Sequence, residues 1–224
     1  MKLLVAALLL AALSPPNLLD SQLVLQRYEA RLGAVKDPQT LIFMYAVSQA
    51  GPQDIDQTHR VYRSGNLVRD ETLVVDGVSQ KFTRIARYRN RYTLQSLAPR
   101  SARYAFLFIR PVRIANRYDY LYRVVPLGPL AAYTVASLTI DGRTFLPREI
   151  RFRSTGVGAR GVGTLTFTPA GKYWVPSSIA VQGTVNGRAA RERIVFTGYQ
   201  FPASLPKSTF QSPKALPAAV LPTF

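Results

Sequence analysis

Hydrophobic and polar residues follow two different periods along this chain, and the change falls near residue 40. Before it, apolar residues recur every four or five positions from Leu19 to Leu32, with polar residues between them. Asp20 or Ser21 is placed to cap a helix, and Gly33 lies just past its expected end. The pattern predicts one amphipathic helix.

From residue 40 onward the chain divides into short segments rich in β-branched and aromatic residues, which are separated by turn residues. Asp76-Gly77 and Asn186-Gly187 lie between alternating segments and predict tight hairpins. The segment Ser101–Ile109 fits either a second short helix or another strand. The predicted strands are Thr40–Ser48, His59–Arg63, Leu67–Val75, Lys81–Tyr88, Arg91–Leu97, Tyr133–Ile140, Arg148–Ser154, Gly163–Thr168, Tyr173–Val185 and Ala189–Tyr199.

One helix followed by about ten antiparallel strands in meander order predicts an α+β fold that is mostly β. The late strands alternate cleanly, as Ile150 and Phe152 do with Arg151 and Arg153. One face of the sheet is therefore apolar and the other is polar. Such a sheet must cover its apolar face with a helix or curl over a ligand.

The N-terminus has the pattern of a secretory signal peptide. Lys2 precedes the apolar run Leu3–Leu13, which is too short to span a bilayer. We expect a signal peptide at residues 1–14, an exported protein and a single domain at residues 19–210. The Pro-containing tail at residues 211–224 is expected to be an extended strap or a disordered end.

The composition excludes several kinds of site. The chain has no cysteine, and His59 is its one histidine, so thiolate metal sites, cysteine nucleophiles and multi-histidine sites are excluded. We name no catalytic residue, metal ligand or cofactor. The run Gly156–Gly161 matches a dinucleotide fingerprint by letter, but a strand follows it where a helix is required, so it predicts a hairpin loop.

The chain is strongly basic, with 29 Lys and Arg against 12 Asp and Glu and a net charge of +17. Arginines and tyrosines interleave between residues 84 and 123, where Asp119 is the one acid. Such a surface favours an anionic partner, and for an exported chain we expect an anionic membrane surface or an acidic envelope protein rather than nucleic acid. A GC-rich genome, or a solvated basic face, would give the same excess. The candidate face is Arg84, Arg87, Arg89, Arg91, Arg103, Arg113 and Arg117.

Several segments of the second half carry a family resemblance. Tyr118–Val125 leads into Tyr133–Asp141, and Thr144–Phe152 reads TFLPREIRF. The segment Tyr173–Ile179 reads YWVPSSI, and Leu205–Phe210 reads LPKSTF. With the leader, the helix and the meander, these segments resemble the outer-membrane lipoprotein carriers of the LolA and LolB family, whose relatives include the envelope-stress regulator RseB.

The resemblance implies a curved half-barrel of about ten or eleven strands, capped by helices, whose hydrophobic hollow receives acyl chains. It implies a monomeric, non-enzymatic lipid or lipoprotein carrier of the periplasm or cell envelope, or alternatively a stress sensor that binds an acidic partner through its arginines. It also implies an arginine that contacts a lid, at Arg60 or Arg63. The aromatic residues expected to line the hollow are Phe43, Tyr45, Phe82, Phe152, Phe167, Trp174 and Phe196.

Overall fold

The computed structural model describes residues 18–52, 54–87, 93–129, 133–156 and 159–211. The expected signal peptide and all but the first residue of the expected tail lie outside the described residues. Within those residues the fold is a single large antiparallel sheet with two helices and a terminal 3₁₀ turn.

The elements follow the chain in a simple order. The helices are α1 (Ser21–Ala34) and the single turn α2 (Leu94–Leu97), and Lys207–Phe210 forms the 3₁₀ turn. The strands are β1 (Thr40–Ala50), β2 (Ile55–Ser64), β3 (Leu67–Val75), β4 (Val78–Arg87), β5 (Tyr104–Ile114), β6 (Arg117–Pro126), β7 (Tyr133–Ile140), β8 (Pro147–Gly156), β9 (Ala159–Ala170), β10 (Tyr173–Val185) and β11 (Arg188–Gln200).

The sheet has eleven strands in the order β4-β3-β2-β1-β11-β10-β9-β8-β7-β6-β5. The predicted α+β class and strand number are confirmed. The predicted meander is wrong at two points, because β1 pairs with the last strand and the chain passes from one edge of the sheet at β4 to the other edge at β5. The connection between these edges contains α2.

Two hairpin turns have the backbone geometry that the sequence predicts. Asp76 and Gly77 both have positive φ, as do Asn186 and Gly187, which is the geometry of the predicted two-residue hairpins. Of the glycines that match the dinucleotide fingerprint, Gly156 ends β8, and Gly161 lies inside β9 and pairs with Gly183. Gly158 lies outside the described residues. The predicted strand Arg91–Leu97 is wrong over its described part, since Thr93 caps α2 and forms a capping box with Ser96. Ser101–Ile109 belongs mainly to β5.

Helix α1 is fixed over the sheet by its buried stripe and by tyrosine hydroxyls. Asp20 caps it as expected, accepting the N–H groups of Gln22 and Leu23. Val24, Tyr28 and Leu32 are fully buried against the sheet. The Oη of Tyr122 donates to the Ser21 carbonyl at 2.5 Å, and the Leu19 N–H donates to the Oη of Tyr120 at 2.9 Å. The Oη of Tyr28 donates to the Pro99 carbonyl at 2.6 Å, in the segment after α2.

Buried charges hold the ends of β6, β7 and β8 together. Asp119 is fully buried, forms an ion pair with Arg148 and accepts the Gly142 N–H at 3.1 Å. Asp141 forms ion pairs with Arg148 and Arg117. Burial alone would raise the pKa of Asp141, but N–H donors from the following turn and the two arginines outweigh it and lower that pKa below its usual value.

Candidate functional site

An apolar cavity lies between the sheet and the segments that precede β1 and form α2. Its floor is built from β1, β2, β3, β10 and β11, and its cover from Asp37, Pro38, Thr93 and Leu94. Leu94 is almost fully buried, because the capping box on Thr93 turns the chain so that this side chain faces the sheet. The remaining lining residues are Leu41, Phe43, Tyr45, Val61, Arg63, Val68, Asp70, Trp174, Val175, Pro176, Ile194, Phe196 and Tyr199.

The cavity is small in this conformation. Its volume is about 80 Å³, less than the roughly 150 Å³ of an apolar cavity that accommodates one benzene molecule. Pockets that bind drug-sized ligands start at roughly 300 Å³. A long apolar ligand would therefore enter only if the cover moved away from the sheet.

Arg63 ties the cover to the floor. Its Nη2 donates to the Pro38 carbonyl at 2.7 Å, across the loop between α1 and β1. Its Nε is buried without a hydrogen-bond partner among the described residues, and burial lowers the pKa of the guanidinium. A guanidinium held beside an apolar cavity by one carbonyl bond is suited to act as a latch, because opening of the cavity to water relieves its desolvation cost.

A second link joins the cover to α1. The Gln95 side-chain amide donates to the carbonyls of Leu32 and Val35, at 2.7 and 2.5 Å, at the C-terminal end of α1. These bonds satisfy carbonyls that a helix end leaves free. Because Gln95 belongs to α2, the short helix is attached to α1 and to the cavity at the same time.

A cluster of polar side chains borders the cavity. The Oη of Tyr45 donates to Asp70 at 2.8 Å, and the Nδ1 of His59 lies 3.0 Å from the other oxygen of that carboxylate. The rings of Tyr45 and His59 stack with centroids 4.4 Å apart. The Nε2 of His59 is 3.0 Å from the Gln57 side-chain oxygen. The hydroxyl of Thr72 lies 3.4 Å from the Nδ1 of His59.

Trp174, the one tryptophan of the chain, lines the cavity. Its Nε1 donates to the Pro147 carbonyl at 2.7 Å, which fixes the ring against the start of β8. The stacked rings of Phe43 and Tyr199, with centroids 5.4 Å apart, form part of the same lining.

The structure places the seven aromatic residues named from the sequence in three environments. Phe43, Tyr45, Trp174 and Phe196 line the cavity. Phe152 and Phe167 are buried in the core and lie outside its lining, and Phe82 is half-buried on β4. That these residues contact a ligand stays a prediction for all seven.

Of the two arginines named as lid contacts, Arg63 lies at the cavity and Arg60 does not. Residues alternate between the two faces of β2, and His59, Val61 and Arg63 share the covered face. Arg60 is exposed on the opposite face, beside Glu71 of β3. The geometry therefore favours Arg63 for this role.

The arginines named as one anionic-partner face are divided between opposite edges of the sheet. Arg84 and Arg87 lie on β4, whereas Arg103 precedes β5 and Arg113 lies within it. Arg117 is committed to Asp119 and Asp141, so its charge is already compensated. Arg89 and Arg91 lie outside the described residues.

Several lining residues have no distinctive signal in the sequence. Leu41, Val61, Ile194 and Val175 are ordinary apolar strand residues, and nothing local tells which of them face a void rather than packed core. Thr93 and Leu94 were hidden within the incorrectly predicted strand. The spacing of Thr93 and Ser96 was the available signal, although serine is a weaker partner than the glutamate or glutamine of the usual capping box.

No group of three or more His, Asp or Glu side chains is placed to hold a metal ion among the residues described. No helix in the same residues is long and apolar enough to cross a membrane.

Solved structures of other proteins have a similar fold. An outer membrane lipoprotein-sorting protein domain from Vibrio parahaemolyticus superposes with a TM-score of 0.50 at 11% identity, covering 85% of this chain and 97% of the other. The chain has a LolA-like fold. A LolA superfamily protein from Nitrosomonas europaea gives a TM-score of 0.48 at 14% identity, covering 87% of this chain and 99% of the other. No protein-family model matches the sequence, and no curated protein matches it closely enough to be a relative.

The LolA-like fold confirms the resemblance stated from the sequence at the level of architecture. The open eleven-stranded sheet with helices on one face is the expected half-barrel. In this chain the apolar cavity lies beneath the cover formed by the α1–β1 loop and α2.

Proposed function

We propose that this protein is an exported, non-enzymatic carrier of the bacterial cell envelope that binds a lipid or lipoprotein acyl chain in the cavity beneath α2. The observation that carries the proposal is an apolar cavity closed by one turn of helix and one loop. The LolA-like fold, which it shares with a lipoprotein-sorting domain, supports the same function.

Acyl-chain binding needs only apolar surface, and the cavity supplies it. A chain of about 16 carbons buried at ~0.8 kcal/mol per CH₂ gives a gross gain near 12 kcal/mol. Part of this gain is spent on ordering the ligand and on opening the cover. An affinity reduced in this way suits a carrier, which must release what it binds.

The contacts of the cover define how it opens. Residues 35–39 and 93–97 form the proposed lid, held to the sheet by Arg63 through Pro38 and by the buried side chain of Leu94. The acyl chain binds the open state better than the closed one and so shifts the population toward it. The cluster of Tyr45, His59 and Asp70 gives the cavity a polar border, where a headgroup ester or amide would find hydrogen-bonding groups.

The single tryptophan allows a direct test. The purified chain is titrated with dibromostearate while the fluorescence of Trp174 is followed, since bromine quenches an indole that it contacts. We expect saturable quenching. Native mass spectrometry of protein from an exporting bacterial host should also find a co-purifying acylated species.

A matched pair of variants locates the binding. Val68 is half-buried in the cavity lining, whereas Val78 is exposed on β4 outside it. Val68→Phe fills the cavity and is expected to weaken quenching by dibromostearate at least tenfold, and Val78→Phe is expected to leave it unchanged. Absence of saturable quenching in the unmodified protein, together with an apo mass in the native spectrum, would overturn the proposal.

A further inference from the structure

The edge strand β5 exposes several large apolar side chains to solvent. Leu107, Phe108 and Ile109 are 53%, 42% and 51% exposed, although consecutive strand residues point to opposite faces. The strand is therefore open on both sides. A continuous apolar run is typical of a strand buried on both faces, so sequence and environment disagree here.

The exposed apolar residues are concentrated in one place. Of the eleven large hydrophobic residues exposed in the described structure, six lie on β5, on β6 or directly after β6. We call them the edge patch: Leu107, Phe108, Ile109, Ile114, Val125 and Leu127. Leu127 is held beside the start of β5, because its N–H donates to the Arg103 carbonyl at 2.9 Å. Exposed apolar residues concentrated on one edge hairpin are typical of an interaction site.

The charges around the edge patch are of one sign. Arg103, Arg110, Arg113 and Arg123 are exposed on the same two strands and the turn before them. Asp119 is the one acid of β5 and β6, and it is buried and committed to Arg148. Among the described residues, none of the ion pairs involves these four arginines.

The backbone of β5 is poorly suited to pairing with another strand. Pro111 lacks an N–H, and the register with β6 shifts between Phe108 and Arg110. Proline, bulges and charges on an edge strand are the devices that prevent edge-to-edge association. A second copy of the chain or an extended peptide is therefore disfavoured as the occupant.

We propose that the edge patch docks this protein on the surface of an anionic phospholipid bilayer. The apolar side chains enter the interface and the four arginines meet the lipid phosphates, which is how amphipathic surfaces bind membranes. The proposal does not depend on acyl-chain binding, because the edge patch shares no residue with the cavity. It gives the carrier a surface on which to approach lipid.

The test is co-sedimentation of the purified chain with vesicles of phosphatidylglycerol and of phosphatidylcholine, at low and high salt. We expect partitioning at least tenfold stronger onto phosphatidylglycerol, and we expect salt to weaken it because exposed charges are screened. The double variant Leu107→Asp with Ile109→Asp should lose at least tenfold in partitioning. Its matched control, Val78→Asp with Val162→Asp, changes equally exposed residues elsewhere on the sheet and should bind as the unmodified chain does.

The arginines are tested separately. Arg103→Gln with Arg110→Gln and Arg113→Gln should lower partitioning by up to about fivefold per residue at low salt. The matched control makes the same charge change at three arginines exposed on other strands, as Arg153→Gln with Arg160→Gln and Arg188→Gln. It should lower partitioning less. All of these positions are exposed, so the variants should fold, and circular dichroism checks this.

Three results would overturn the proposal. The first is equal binding to both lipids, or to neither. The second is an equal loss in the edge-patch variant and its control. The third is a dimer in light scattering that the edge-patch variant dissociates, which would assign the surface to a second copy of the chain.

Discussion

The apolar face of the sheet is covered in different ways at its two ends. We call β1–β3 with β10 and β11 the hollow half, and β6–β8 the anchored half. In the anchored half, Tyr122 bonds the first residue of α1, Tyr120 bonds the backbone just before it, and a buried ion-pair cluster joins the strand ends. In the hollow half, α2 and one loop cover a cavity, and Arg63 bonds a single loop carbonyl.

The difference teaches which half can open. Separating α1 from the anchored half exposes buried tyrosines and breaks two long-range hydrogen bonds together. Opening the hollow half displaces a four-residue helix and a short loop that are held mainly by Leu94, Gln95 and Arg63. Elements with few buried contacts are the ones that open locally without global unfolding.

The largest expected effects are losses in the free energy of unfolding, and they differ between the two halves. Asp119→Ala should lower the free energy of unfolding by about 2–3 kcal/mol, because it removes the fully buried carboxylate that pairs with Arg148 and accepts the Gly142 N–H. Asp70→Ala, in the hollow half, removes the carboxylate that accepts the Tyr45 hydroxyl and contacts the Nδ1 of His59, and should cost about 1–2 kcal/mol. Urea unfolding measures both, and an equal loss would contradict the division into halves.

An intermediate effect is expected from Glu192, at the end of the hollow half. Burial raises the pKa of this carboxyl from 4.5 to about 7, and its Oε1 has no partner among the described residues. A folded-state pKa above the unfolded value means that stability falls as pH rises from about 4.5 through about 7.

Glu192→Gln should remove this fall. Between pH 5 and pH 8, the free energy of unfolding of the variant should rise by about 1–2 kcal/mol relative to that of the unmodified protein. This figure allows for the partial contact of Glu192 with water. Urea unfolding at the two pH values measures the change, and Glu149→Gln on β8 serves as the control. A pH dependence that the variant leaves unaltered would refute the assignment.

The smallest stability effect is expected at Arg63. Arg63→Met keeps the length of the side chain but loses the bond to Pro38, which should cost about 1 kcal/mol or less. The same variant should speed acyl-chain exchange several-fold in stopped-flow measurements of Trp174 quenching. Arg60→Met, on the opposite face of β2, should leave exchange unchanged, and an equal acceleration by both variants would exclude Arg63 as the latch.

The sequence was sufficient for the local features and insufficient for the long-range ones. Period-two alternation and the Asp-Gly and Asn-Gly turns placed most strands, because hairpins join neighbours in the chain. Two long-range features could not be predicted from local patterns. The chain passes from β4 to the opposite edge of the sheet at β5, and β1 pairs with β11 through contacts some 150 residues apart. The alternation of β2 could have separated Arg63 from Arg60, once the covered face was known.

The cavity shows the same limit. Phe43, Tyr45, Trp174 and Phe196 were identified as apolar-face aromatics, but Phe152 and Phe167 have the same pattern and lie in packed core. Which aromatic residues border a void depends on where the cover lies, and α2 was mistaken for part of a strand. The edge patch was ambiguous in sequence for a related reason, because its apolar run belongs to a strand that is open on both faces.

The most direct test of the central claim is hydrogen–deuterium exchange measured with and without palmitate. The account predicts that peptides covering residues 35–39 and 93–97 exchange faster than those of α1 and β6. It also predicts that palmitate speeds the exchange of the first group selectively, because it shifts the population toward the open state. Exchange that is uniform across these segments and unaffected by palmitate would contradict the account, because the hollow half would then neither open nor bind an acyl chain.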